Sequence, residues 1–212
     1  ASLMVVVVVL HMLQVALWGA YKKPREATWI LGVFLLLLVL GFGFTGYLLP
    51  WDNRAYWATV VAVELAKLTP MVGDYLAQIL GSSHGVGVAT FSRFYTLHVV
   101  IFPALTALLM VLHVCLVRKH GITPHPEDGN NPKKKFYPGQ AFKDLMTIFT
   151  VFVILFVLAL AIEVPLERLA DPTDSSYVPR PEWYFLFMFR FLKFESVEHY
   201  GLAFGAIYVP GA

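Results

Sequence analysis

Cysteine is almost absent: of 212 residues, only Cys115 is one. A lone thiol forms no internal disulfide and leaves no CxxCH haem attachment and no cysteine-rich metal cluster. Charge is scarce as well, at 14% of residues where a soluble domain carries about 25%. The formal net charge is +2, without the basic stripe that nucleic-acid binding needs. No nucleophile–base pair suggests a hydrolase. Gly85-Val86-Gly87 lacks the strand and helix context of a nucleotide-binding loop. No repeat, low-complexity tract or charged leader is evident, and the chain opens as the middle of a helix would.

Apolar residues dominate instead, at 58%, with 17 Phe and 10 Tyr. Four apolar runs stand out, at 1–20, 29–49, 91–117 and 142–162. Each approaches the ~20 residues that cross a bilayer core, where only a helix satisfies its own backbone. A fifth, weaker run begins at Tyr200 and reaches Ala212. Between Asp52 and Thr90 the chain is more polar. There Trp57, Val60, Val61, Leu65 and Leu68 recur at helical spacing, so an amphipathic helix over 53–80 is expected to lie on the membrane surface, broken near Pro70 and Gly73. The expected fold is all-α: a polytopic transmembrane bundle with that surface helix. It divides into residues 1–120 and a C-terminal part, 121–212.

With four spans, the loops on one side hold nine basic and four acidic residues, Lys22, Lys133, Lys134 and Lys135 among the basic ones. The loops on the other side hold seven basic and ten acidic. The positive-inside rule places the lysine-rich side in the cytoplasm or its equivalent. The Pro-rich loop before Pro181 then faces the opposite, positive side. Lys133-Lys134-Lys135 reads as an orientation-setting loop near anionic headgroups.

Three histidines, His11, His98 and His113, lie inside apolar runs, where an ionisable group needs a partner or a task. A lone one often serves a helix–helix hydrogen bond. His98 and His113, however, share one run at a spacing of 15. On a straight helix that is about 22 Å of rise and about 60° of azimuth. One helix thus offers two imidazoles at two depths, a pattern suited to two haem irons. Gly32 and Gly46, 14 apart, would let a flat macrocycle approach the second run, although small residues also favour helix packing. In Pro181-Glu182-Trp183-Tyr184 a carboxylate stands among aromatics between apolar segments. It can accept a proton from a quinol hydroxyl, or be a solvated acid beside interfacial anchors. His84, His120, His125 and His199 read as solvated, with His120 and His125 at most an adventitious metal pair.

These motifs together resemble the cytochrome b subunit of bc-type quinol oxidoreductases. Pro181-Glu182-Trp183-Tyr184 matches that family's PEWY motif, and Gly46-Tyr47-Leu48-Leu49-Pro50-Trp51 its GY-x-LPW segment. Lys22-Lys23-Pro24-Arg25-Glu26 and Arg93-Phe94-Tyr95-Thr96-Leu97-His98 are most similar to the cyanobacterial and chloroplast branch, as is the histidine spacing of 15, which is 14 in mitochondrial members. The chain departs from that branch by running on through PEWY, which points to a fused bacterial subunit.

The resemblance implies two b-type haems. His11 and His113 would be the axial ligands of the high-potential one, and His98 would ligate the low-potential one, its partner histidine lying before Ala1. Glu182, Tyr184 and Tyr47 would form the quinol-oxidising site on the positive side, walled by Trp57. The resemblance implies bifurcation too, with one electron passing to a Rieske iron–sulfur protein and the other across the haems, coupled to proton translocation. A c-type cytochrome subunit and a homodimeric complex in a bacterial inner or thylakoid-type membrane are implied as well. Arg118 and Lys22 fall near a second quinone site or a haem propionate, or else serve as interfacial anchors. Branch members carry a further covalent haem attached upstream, which stays open here. Two alternatives remain at this point: a di-haem membrane anchor that relays electrons without bifurcation, and a non-redox scaffold or transporter.

Overall fold

The computed structural model describes residues 2–67, 71–82, 85–123, 136–174, 176–178 and 182–187. Seven α-helices follow in order: α1 (Ser2–Leu17), α2 (Glu26–Tyr47), α3 (Asn53–Lys67), α4 (Gly73–Ile79), α5 (Val88–Thr96), α6 (Phe102–His120) and α7 (Ala141–Ala161). The chain divides into two compact units, Ala1–Ile122 with Glu167–Ala212, and Thr123–Leu166.

Three helical stretches, Glu26–Tyr47, Val88–His120 and Phe136–Ala161, are long and apolar enough to cross a membrane. The apolar α1 is 16 residues long. Large side chains such as Leu37, Leu108 and Phe149 are exposed along these helices, as lipid contact requires. The fifth run from Tyr200, together with Leu68, Pro70, His84, His125, Lys133-Lys134-Lys135, Pro181 and His199, lies outside the described residues.

Val88–His120 is one continuous rod with a fault in it. Between α5 and α6, Leu97–Ile101 forms a π-turn, in which the Phe102 N–H reaches back to the Leu97 carbonyl. Its cause is Pro103, two residues beyond. A proline ring inside a helix collides with the carbonyl four residues earlier and brings no N–H, and a widened turn relieves both problems. The straight-helix azimuth of about 60° therefore does not apply. At its far end α6 finishes in Arg118 and Lys119, cations that complement the helix terminus, followed by His120. Gly121, at φ +73°, reverses the backbone there, and Arg25 donates to the Gly121 and Ile122 carbonyls at 3.0 and 3.3 Å.

The surface segment forms two helices, α3 and α4, rather than one over 53–80. Trp51, at φ +53°, turns the chain out of α2, an unfavourable conformation for a side-chain-bearing residue. Its ring is held by Phe91 at 5.4 Å and Tyr56 at 6.0 Å. Asp52 then caps α3, its Oδ1 accepting the Ala55 N–H at 2.8 Å. Helix α3 buries Asn53, Ala55, Tyr56, Thr59, Val61 and Val63, whereas Trp57 and Val60 are half-buried. Thr59 tolerates burial because its hydroxyl donates to the Ala55 carbonyl at 2.8 Å.

The segment after Glu167 is clamped onto this turn. Asn53 N–H donates to the Arg168 carbonyl and Ala170 N–H to the Trp51 carbonyl, both at 3.0 Å. The fully buried Asn53 donates to Asp174 at 3.1 Å and accepts the Asp171 N–H at 2.8 Å. Arg54 and Tyr177 both donate to Glu167, each at 2.9 Å, and Arg168 pairs with Asp174. The packed core of this unit (Leu48, Ala55, Val63, Phe94) thus sits where the spans meet the surface helices.

Candidate functional site

The site is built on α2 and the rod it packs against. A Cβ placed on Gly46 would lie 2.5 Å from His98 Cε1, so the imidazole rests directly on the glycine backbone. A Cβ on Gly32 would meet His113 Cε1 at 3.5 Å. The later glycine faces the earlier histidine, so the two helices run antiparallel. The glycines are 14 residues apart and the histidines 15, yet both pairs meet. The π-turn reconciles the counts: it takes up the surplus residue, so both pairs are separated by about 21 Å of rise.

The surroundings of the histidines differ. His98 Nδ1 lies 3.1 Å from Thr45 Oγ1, and the Phe42 ring stands edge-on at 5.2 Å. His113 Nδ1 is buried, makes no hydrogen bond of good geometry, and has the Thr28 backbone within reach of its ring. His11, exposed on α1, is near enough to act electrostatically on His113. Among the described residues no group of three or more metal-ligating side chains converges. Arg118 is exposed in the last turn of α6, and Lys22 folds its side chain over Gly19. Neither is brought to a histidine by a described contact.

At the His98 end a second group gathers. Tyr184 is buried, and its ring lies on Gly43, where a Cβ would come within 3.1 Å of Cε2. Burial, and then the neighbouring Glu182 carboxylate, push its phenol above the ordinary range. Tyr47 ends α2 with its hydroxyl buried and unpaired; Glu182, Arg54, Tyr177 and Asp52 all act on it electrostatically. Trp57 Nε1 is likewise buried without a partner. An unsatisfied buried donor calls for a partner, which a bound molecule or a water can supply. The clamp residues stand close by. Burial raises the Glu167 carboxyl, but the hydrogen bonds from Tyr177 and Arg54 outweigh it and hold it below the usual carboxylate range.

The histidines, Gly32, Gly46 and Glu182 stand out in the sequence and Tyr47 and Tyr184 follow from the resemblance, whereas Thr45, Gly43, Asn53, Glu167, Tyr177 and Arg25 do not stand out. An N-cap signal was available for Asp52-Asn53 after Pro50. No local signal pairs Glu167 with Arg54, 113 positions away.

The fold and site together define an integral membrane helical protein with histidines set against the glycines of a neighbouring span. This chain belongs to the cytochrome b family: the model described as "Cytochrome b(N-terminal)/b6/petB" matches residues 2–170. It is 46% identical over 123 residues to cytochrome b6 of Cyanidium caldarium, and equally to that of Synechococcus sp. (strain JA-3-3Ab), covering 58% of this chain and 57% of each relative. Cytochrome b6 of Gracilaria tenuistipitata var. liui is 45% identical over the same length. The chain therefore matches little more than half the length of these relatives. A solved chain described as "Hyperthermophilic respiratory Complex III" superposes with a TM-score of 0.74 at 27% identity, covering 97% of this chain and 57% of that one.

The haem implied by the resemblance can be tested against these residues. Both histidine rings sit over backbone with no side chain, a cradle that a Cβ would fill at Gly46. The residues fit the group.

Proposed function

We propose that this chain is the electron-transfer subunit of a membrane quinol oxidoreductase, oxidising quinol at the His98 end on the positive side. His11 and His113 would hold one b-type haem, and His98, with a histidine outside this chain, the other. When bound, the haems supply the one-electron carriers that lead across the membrane. The chain's own residues do the rest. Quinol oxidation releases two protons: Glu182 accepts one and passes it to the positive-side water, and the other leaves to that water directly. Tyr47 offers an unpaired buried hydroxyl to a quinol oxygen, and Tyr184, braced on Gly43, closes the other side. The observation that carries this reading is that unpaired Tyr47 hydroxyl, beside Glu182 and next to the His98–Gly46 pair.

A Rieske iron–sulfur protein and a c-type cytochrome subunit complete the proposed bc-type complex, a homodimer in an energy-transducing bacterial or thylakoid-type membrane. A relay-only anchor would account for the histidines but not for the Tyr47, Tyr184 and Glu182 group. Glu182→Gln in the full complex tests the reading. Quinol oxidation should slow by about 10²-fold or more, the scale of a lost general base, with the haem b content unchanged. Unaltered turnover would remove Glu182 from the reaction.

A further inference from the structure

Thr45 precedes Gly46 on α2 and is buried, with 2% of its surface exposed. Its hydroxyl oxygen lies 2.8 Å from the Gly41 carbonyl oxygen and 3.1 Å from His98 Nδ1. A hydroxyl has one proton to give and two lone pairs to accept with. The carbonyl can only accept, so the hydroxyl proton goes to Gly41. Nδ1 is then the donor to Thr45, and Nε2 keeps its lone pair. In the reverse tautomer the proton sits on Nε2, and that atom cannot ligate a metal.

We infer that Thr45 is a positioning residue for the haem ligated by His98. Its hydroxyl holds the imidazole in the Nδ1–H tautomer, with Nε2 free for iron. This inference rests on the haem reading above and goes beyond it by naming the residue that sets the ligand's electronics. Gly46 and the Phe42 edge confine the ring plane, but neither distinguishes one nitrogen from the other. An imidazole that donates from Nδ1 into an oxygen is a more basic ligand. A more basic ligand favours ferric over ferrous iron and lowers the potential. No side-chain hydroxyl stands at His113 Nδ1, where the Thr28 backbone is the neighbouring group.

The test uses the complete complex in three forms: wild type, Thr45→Val, which keeps the shape and loses the hydroxyl, and Thr45→Ser, which restores it. Haem b per polypeptide and the redox titration of each haem are the readouts. In Thr45→Val one haem should titrate higher, by on the order of tenfold in its ferrous-to-ferric ratio, equivalent to about 59 mV for one electron. The other haem should be unmoved and Thr45→Ser near wild type. Loss of one haem in Thr45→Val with retention in Thr45→Ser supports the same role. Two haems at wild-type potentials in Thr45→Val overturn the inference and leave the haem reading intact. Equal haem loss in Thr45→Val and Thr45→Ser also overturns it, since the hydroxyl is then not what matters. A wild-type complex without haem b ends the proposed function and this inference together.

Discussion

The two ends of the α2–α6 contact are built from the same parts to different tolerances. At one end His98 rests directly on Gly46, is hydrogen-bonded by Thr45, and is fenced by Phe42. At the other, His113 meets Gly32 at ordinary van der Waals distance, and its Nδ1 makes no hydrogen bond of good geometry. The tight end is also the end where the surface helices and the clamped loop form the core. A histidine beside the proposed quinol site must be held in a defined orientation while substrate comes and goes. The difference shows where the fold concentrates its packing.

Alanine substitution should break this comparison most sharply. At Gly46 the added carbon lies 2.5 Å from an imidazole atom, so the ring must move. Gly46→Ala is expected to leave one haem b per polypeptide, counted by reduced-minus-oxidised spectra. Gly32→Ala, at 3.5 Å, should keep both. Equal haem content in the two variants would show that the two ends are equivalent.

A smaller effect is expected in the clamp. Asn53→Leu removes one donor from Asp174, which keeps Arg168 and Ser176, and leaves the Asp171 N–H without its side-chain acceptor. The 167–178 segment should become open to protease, and quinol oxidation should fall while haem b content stays at wild type. Full protection would mean that the backbone bonds alone hold the loop.

Acid probes the same clamp by charge. Glu167 is held low as described. Asp174 is lowered by its hydrogen bond to Ser176, which outweighs the opposing effect of burial, with help from Asn53 and Arg168. Groups held low in the fold contribute fully above the usual carboxylate range, and that contribution is lost as pH falls through their folded values. Protection of the segment should be the same at about pH 7 and about pH 5, and be lost only below the usual carboxylate range. Loss already by pH 5 would contradict the direction of both shifts.

The smallest effect is expected at Gly43. There alanine meets the Tyr184 ring at 3.1 Å, and the ring must give by a few tenths of an ångström. Gly43→Ala should raise KM for quinol a few-fold, about 1 kcal/mol of weakened binding, without changing haem content. A change in kcat alone would remove Tyr184 from substrate binding.

Much of this architecture is legible in the chain because lipid imposes long apolar runs, and a histidine or glycine within one stands out. The surface helix was legible in outline, yet its buried stripe includes Thr59, which hydropathy alone reads as outward-facing. The π-turn is hidden for another reason: widening one turn leaves the run of Leu, Val and Ile unchanged, and only Pro103 hints at it. Asn53 and Asp174 stand 121 positions apart, and nothing local to either announces the other. Thr45 reads as an ordinary small polar residue in a span until the partner ring is seen.

The widened turn before Pro103 also has a consequence for chain length. In an unbroken helix, losing one residue swings everything beyond it by about 100° and would carry one histidine off its glycine. Leu97–Ile101 already stores a spare residue. A one-residue deletion at 99–101, with Pro103 replaced, is expected to close the turn to an ordinary one and leave both ends facing as before. The spacing of 15 is therefore one that the rod can shorten to 14 at this level without re-aiming either imidazole.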